Sequence, residues 1–110
     1  PRFEPSVANL FADLSPGGPE RAFTELLARP GLRIERIVSR GEATPEDVPI
    51  RQDGDEWVIL LAGEAAIRVE DSLDVSLSPG DHLRIAKGQR HWVTRTSTDP
   101  PAVWLAVHLD

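Results

Sequence analysis

The stretch that decides the fold runs from residue 80 to residue 91 and reads Gly80-Asp81-His82-Leu83-Arg84-Ile85-Ala86-Lys87-Gly88-Gln89-Arg90-His91. It opens in a turn, because Ser78-Pro79-Gly80-Asp81 puts proline and glycine where a β-turn requires them. Residues 82–85 follow as a predicted strand, which ends at the pair Lys87-Gly88. A further strand is predicted from His91 onward. Short strands this close together, separated by glycine and proline turns, are typical of antiparallel β structure.

The same pattern of short apolar segments and turns continues on both sides of this stretch. The strands predicted along the chain are residues 32–39, 56–62, 65–70, 75–77, 82–85, 91–96 and 102–109. Gly63-Glu64 lies between two of them and predicts a hairpin. No long crossover helix intervenes, which disfavours a parallel sheet. The sequence therefore predicts an all-β protein, an antiparallel sandwich or barrel.

The N-terminal part of the chain has a different pattern. Pro19 suits the first position of a helix, and Ala22, Phe23, Leu26 and Leu27 recur at helical spacing until Pro30-Gly31. We predict a short amphipathic helix over residues 19–29, within an N-terminal arm of residues 1–31 beside a β-barrel of residues 32–110, all in one structural domain. The helix either packs on the barrel or contacts a partner.

Composition excludes several classes of function. The chain has 110 residues, 40% hydrophobic and 27% charged, as in an ordinary globular domain. Its net charge is −6, with 12 basic residues scattered among 18 acidic ones, which argues against nucleic acid or an anionic membrane as partner. No segment approaches the roughly 18 apolar residues of a membrane span. The absence of cysteine excludes disulfides, thiolate metal sites and cysteine nucleophiles.

The same features bear on the compartment. A chain without cysteine fits the reducing cytoplasm. Residues 1–14 lack a basic start followed by an apolar run, so no signal peptide is predicted. We therefore expect a cytoplasmic protein.

Two motifs of this chain resemble those of the cupin superfamily, specifically its small single-domain members. The second cupin motif is Gly, five residues, Pro, one residue, Gly, two residues, His, three residues, Asn, and residues 80–91 follow its spacing without a gap. Ala86 occupies the proline position and Arg95 the asparagine position. The first motif ends with Glu, six residues and Gly, which matches Glu56 and Gly63. The resemblance covers residues 34–108 and implies a cupin-type antiparallel β-barrel, or jelly roll, with an interior pocket.

The resemblance also implies a site of imidazoles and one carboxylate that holds a divalent metal. Glu56 and His91 stand at the matching positions. The places of the usual histidine pair hold other residues, Ile50 and Gln52 or, with the alternative spacing, Pro49 and Arg51. Gln52 would serve as a neutral oxygen ligand beside Glu56 and His91. Because imidazole is the ligand that gives affinity for Fe, Mn, Ni or Zn, this is a degraded ligand set, and no cofactor is certain.

Other side chains are candidates for contact with an organic ligand. The ligand-binding set that we predict is Gln52, Glu56, Trp57, His91 and Arg95. Strand alternation puts Arg95 on the face of His91, where it would hold a carboxylate or phosphate at the mouth of the pocket, or else it pairs with a surface acid. Trp57 either packs in the core or stacks on a flat ligand. His108 lies on the last strand, and its side chain faces either the cavity or the exterior; the sequence leaves both alternatives open.

Three functions remain under consideration. The first is a small-molecule-binding cupin without catalysis, acting as a sensor, carrier or accessory protein. The alternative is a metal-dependent cupin enzyme, such as a dioxygenase, isomerase or lyase, that uses Glu56 and His91. The third, an interaction module, is compatible with both, and because exposed sheet edges invite pairing we expect a homodimer. The ligand itself cannot be read from the fold, since function resides in the site.

Overall fold

The computed structural model describes residues 2–14 and 22–110, and its regular structure consists of strands. They are β1 (Ala22–Arg29), β2 (Leu32–Ser39), β3 (Asp55–Ala62), β4 (Ala65–Val69), β5 (Val75–Leu77), β6 (His82–Ile85), β7 (His91–Thr96) and β8 (Ala102–Leu109). The all-β prediction is confirmed, and the strands predicted from residue 32 onward are found with their bounds within one residue. None of the described residues belongs to a helix with the length and apolar character that crossing a membrane requires.

The strands form two antiparallel sheets. The larger sheet has the order β1-β2-β8-β3-β6 and the smaller one the order β5-β4-β7. The buried core draws on both sheets, with Val58 and Trp104 from the larger sheet and Ile67 and Val93 from the smaller one in a single cluster. Alternation explains this arrangement, because successive side chains along a strand point to opposite faces of its sheet, and one face of each sheet is turned toward the other sheet. The interior between the sheets is therefore the place where a site can be enclosed.

The predicted N-terminal helix is wrong for residues 22–29, which form β1, while residues 19–21 lie outside the described residues. β1 pairs with β2 through a hairpin at Gly31, whose φ of +78° a glycine adopts without strain. The register shifts between Glu25 and Leu27, so that Leu26 is an extra residue in β1. This bulge interrupts the alternation, and the apolar residues of β1 consequently have the spacing of a helix.

The hairpin predicted at Gly63-Glu64 is also wrong, because β3 and β4 belong to different sheets. The chain instead crosses between the sheets at this point. Gly63 has φ of +79°, and a Cβ on it would clash with the carbonyl oxygen of Pro101. Only glycine fits a crossing this close to the backbone before β8.

The long connection between β2 and β3 runs beside β7 and completes the interior. The Thr44 amide donates to the carbonyl of Val93 at 2.8 Å. Ile50 and His91 exchange two backbone hydrogen bonds, of 2.8 and 2.9 Å, and form an antiparallel bridge. The extended connection thereby brings residues 50–52 next to the first residue of β7.

Candidate functional site

A cavity of about 420 Å³ lies between the two sheets. Both sheets and the connection along β7 contribute to its wall. Its lining residues are Phe23, Glu35, Ile37, Ile50, Gln52, Glu56, Val58, Ile67, Ile85, His91, Val93, Trp104 and His108. Phe23 is 57% exposed, so the cavity reaches the surface beside β1. The remaining lining residues enclose a mixed apolar and polar interior.

Glu56 and His91, the two residues that match the cupin motifs, both line this cavity. Glu56 projects from β3 in the larger sheet and His91 from β7 in the smaller one. His91 Nε2 lies 3.6 Å from Glu56 Oε1, and both side chains are buried, at 5% and 7% exposure. The two sheets thus bring a carboxylate and an imidazole together from opposite sides.

Glu35 and His108 line the same end of the cavity, and the motif comparison missed both as site residues. His108 lies directly opposite Glu56 in the β3–β8 ladder, and its Nε2 is 4.0 Å from Glu56 Oε2. The same nitrogen is 2.8 Å from Glu35 Oε1, at hydrogen-bonding distance. The result is a row of alternating acids and imidazoles in the order Glu35, His108, Glu56, His91. The only available sequence signal was strand alternation, because Glu35 and Ile37 share one face of β2 and His108 and Trp104 one face of β8.

Glu56 is the electrostatically unusual member of this row. Burial raises the pKa of its carboxyl above the ordinary value of 4.5, since a charged carboxylate loses its hydration there. The nearby His108 lowers that pKa in part, while the second carboxylate, Glu35, raises it again. Glu56 Oε1 is buried and has no hydrogen-bond partner among the residues that the structure describes. An incoming donor group would satisfy this oxygen.

Gln52 lines the cavity as well, so all three members of the predicted metal-ligand set reach it. Imidazoles and carboxylates are suitable ligands for Fe, Mn, Ni or Zn. Within residues 2–14 and 22–110, however, no group of three or more His, Cys, Asp or Glu side chains is arranged to hold a metal ion. The arrangement in the structure therefore does not fit a metal centre, and none of the chemistry below depends on one.

Arg95 and Trp57 do not line the cavity. In the β4–β7 ladder Ile67 pairs with Val93 and Ala66 with Arg95, so Thr94 is an extra residue in β7. This bulge reverses the alternation after His91 and Val93, and Arg95 is exposed at the surface.

Trp57 follows Glu56 along β3 and therefore points to the other face of the sheet. It is 36% exposed, and its indole N–H donates to Nδ1 of His82 at 3.0 Å. The two rings also meet edge to face, with centroids 5.4 Å apart. Trp104, in contrast, is buried and lines the cavity.

Comparison with known proteins agrees with this architecture. A family model described as "Cupin domain" matches residues 36–108. No curated protein sequence was found to match the chain. Among solved structures, a protein from Ralstonia eutropha JMP134, named as a candidate mannose-6-phosphate isomerase, is 44% identical, with a TM-score of 0.91 and coverage of 96% of this chain and 99% of that one.

Two more distant structures share the fold. A cupin superfamily protein from Desulfitobacterium hafniense DCB-2 is 21% identical, with a TM-score of 0.74 over 99% of this chain and 93% of that one. The DMSP lyase DddQ from Ruegeria pomeroyi DSS-3 is 23% identical, with a TM-score of 0.69 over 82% of this chain and 47% of that one. From the two motifs, the antiparallel sheets and the family match together, this chain belongs to the cupin family.

Proposed function

We propose that this protein binds a small organic molecule in the cavity between its two sheets. The observation that carries the proposal is the cavity itself. Its volume of about 420 Å³ lies in the range of roughly 300–1,000 Å³ that is typical of small-molecule sites. Most of its lining is aliphatic or aromatic, and its polar groups converge at one end, which is the usual composition of such a site.

The polar end supports a second candidate function, an isomerase-type enzyme. Proton transfer needs one group that holds a proton and another that accepts it. Burial favours the protonated form of Glu56, and Glu35 orients the imidazole of His108 in the same cavity. The similar protein from Ralstonia eutropha is named as a candidate isomerase, which is consistent with this chemistry.

Ligand-observed NMR with a library of small organic fragments tests binding. Val58 lines the cavity from β3, so Val58→Phe fills part of its volume and should abolish the signals of bound fragments. Val75→Phe is the matched control, because Val75 is exposed and lies outside the cavity. If Val58→Phe does not fold, as judged by circular dichroism, Ile37→Phe on β2 serves the same purpose. Fragments that bind equally well to the filled variant and the control would rule out the cavity as the site.

Self-association is a separate proposal. β1 is the end strand of the larger sheet, and all eight of its residues are exposed. An exposed end strand presents unpaired backbone groups to a neighbouring chain. We therefore propose a homodimer formed through β1.

A further inference from the structure

The charges at the polar end of the cavity indicate which class of ligand it takes. Two carboxylates, Glu35 and Glu56, line it, and neither Lys nor Arg is among the lining residues in the described part of the chain. The guanidinium of Arg33 lies 3.8 Å from Glu35 Oε1, on a side chain that is 47% exposed and does not line the cavity. Solvent screens part of this interaction on the Arg33 side, while the Glu35 side chain is only 14% exposed. The side chains therefore favour a ligand group that brings positive charge.

The unsatisfied oxygen of Glu56 indicates where that group binds. Glu56 is 6% exposed, lines the cavity, and its Oε1 has no hydrogen-bond partner among the described residues. The nearest imidazole nitrogen, Nε2 of His91, is 3.6 Å away, beyond hydrogen-bonding distance. A buried oxygen without a partner is costly, and a charged N–H donor is the group that would stabilise it most.

The apolar residues that line the cavity would accommodate the apolar part of a ligand. Val58, Ile85 and Trp104 are buried and line the same cavity. Aliphatic groups of a ligand would be removed from water there, and the face of an indole also attracts organic cations. The net charge of −6 adds a long-range attraction for positively charged solutes.

We propose that the cavity binds an organic ammonium compound, whose N–H groups donate to Glu56 and Glu35 and whose apolar body lies against Val58, Ile85 and Trp104. The proposal rests on the proposed function and specifies the ligand class of that site. An amine is balanced by the carboxylates already present. An anion of the same size, in contrast, would be repelled by the carboxylates of Glu35 and Glu56.

Binding of an ammonium compound should also strengthen with rising pH. The groups that face Glu56 are Glu35 and Arg33 from β2, His108 from β8 and His91 from β7. At low pH the carboxyl of Glu56, whose pKa is raised by burial, holds its proton and carries no charge. Raising the pH removes this proton, so Glu56 gains a negative charge and the cavity becomes more attractive to a cation.

The test is isothermal titration calorimetry of the full chain with matched compounds at constant ionic strength. Butyl, cyclohexyl and benzyl scaffolds each carry an ammonium, a hydroxyl or a carboxylate group. We expect the ammonium compounds to bind at least about tenfold more tightly than the matching alcohols, since charged hydrogen bonds are the stronger ones. Glu56→Gln and Glu35→Gln should each reduce this preference for the ammonium compound over the matching alcohol to less than about twofold. Glu64→Gln is the control, because Glu64 is exposed and outside the cavity.

Each outcome decides between the two proposals. Alcohols or carboxylates that bind as tightly as the amines would overturn the ammonium assignment and leave the cavity as a binding site. If Glu64→Gln lost as much amine binding as Glu56→Gln, the effect would be one of overall surface charge. The ammonium assignment would then be overturned as well. If no compound of the series binds, the ammonium assignment fails. The proposed function fails with it only if the fragment library also gives no cavity ligand.

Discussion

At the residue scale, the site combines groups that motif spacing identifies with groups that only cross-strand pairing reveals. The motif spacing in the sequence identified Glu56, His91 and Gln52 as candidates, and all three line one cavity. Glu35 and His108 were missed because their contact depends on the register of β2 and β3 against β8. Arg95 was placed on the wrong face because one extra residue in β7 reverses alternation, and no turn residue in the sequence marks that bulge.

Glu56 should reduce stability at neutral pH, and its replacement should reveal this. Burial raises its folded-state pKa above 4.5, so the folded protein binds the proton more tightly than the unfolded chain does. The resulting stabilisation is complete below pH 4.5 and is lost as the pH rises through the folded pKa. We expect Glu56→Gln to change the free energy of unfolding little near pH 4.5 and to increase it relative to wild type as the pH rises.

Urea denaturation measures this change in the free energy of unfolding. The pH range runs from 4.5 to about 8, where small domains are usually stable. Glu64→Gln, at an exposed position, should show no comparable trend with pH. A constant difference between Glu56→Gln and wild type over the whole range would contradict the assigned environment of Glu56.

At the element scale, the strands from residue 32 onward were predictable because glycine and proline mark their ends, whereas the connection after β3 and strand β1 were not. The sequence Gly63-Glu64 is compatible with a hairpin, and only the approach of β8 converts it into a crossing between sheets. The bulge at Leu26 similarly gives β1 a helical apolar spacing. In both cases a contact with a distant strand overrides the local pattern.

Two glycine-to-alanine variants distinguish the stability cost of backbone strain from the cost of steric contact. Gly80 has φ of +95° and open space around it, so Gly80→Ala should cost about 1–2 kcal/mol from strain alone. Gly63→Ala adds a steric clash with the Pro101 carbonyl oxygen to the same kind of strain and should cost distinctly more. Chemical denaturation of both variants gives the comparison. Equal losses in the two variants would mean that the crossing between the sheets is looser than the structure shows.

At the scale of the whole molecule, β1 leaves an uncovered end strand with three large apolar residues, Phe23, Leu26 and Leu27. We expect light scattering to give the mass of two chains at micromolar concentration, and Leu27→Lys to shift it to one chain, because charge on an end strand opposes pairing. Val75→Lys, at an exposed position on β5, should leave the mass unchanged. A wild-type protein with the mass of one chain would rule out the proposed dimer.

A crystal structure with the tightest-binding fragment would show whether the space between the sheets is a binding site around Glu56. We expect electron density for the fragment inside the cavity, with a polar atom within hydrogen-bonding distance of Glu56 or His108. A fragment bound only on the outer surface, or an interior filled by side chains with Glu56 turned to bulk water, would contradict it.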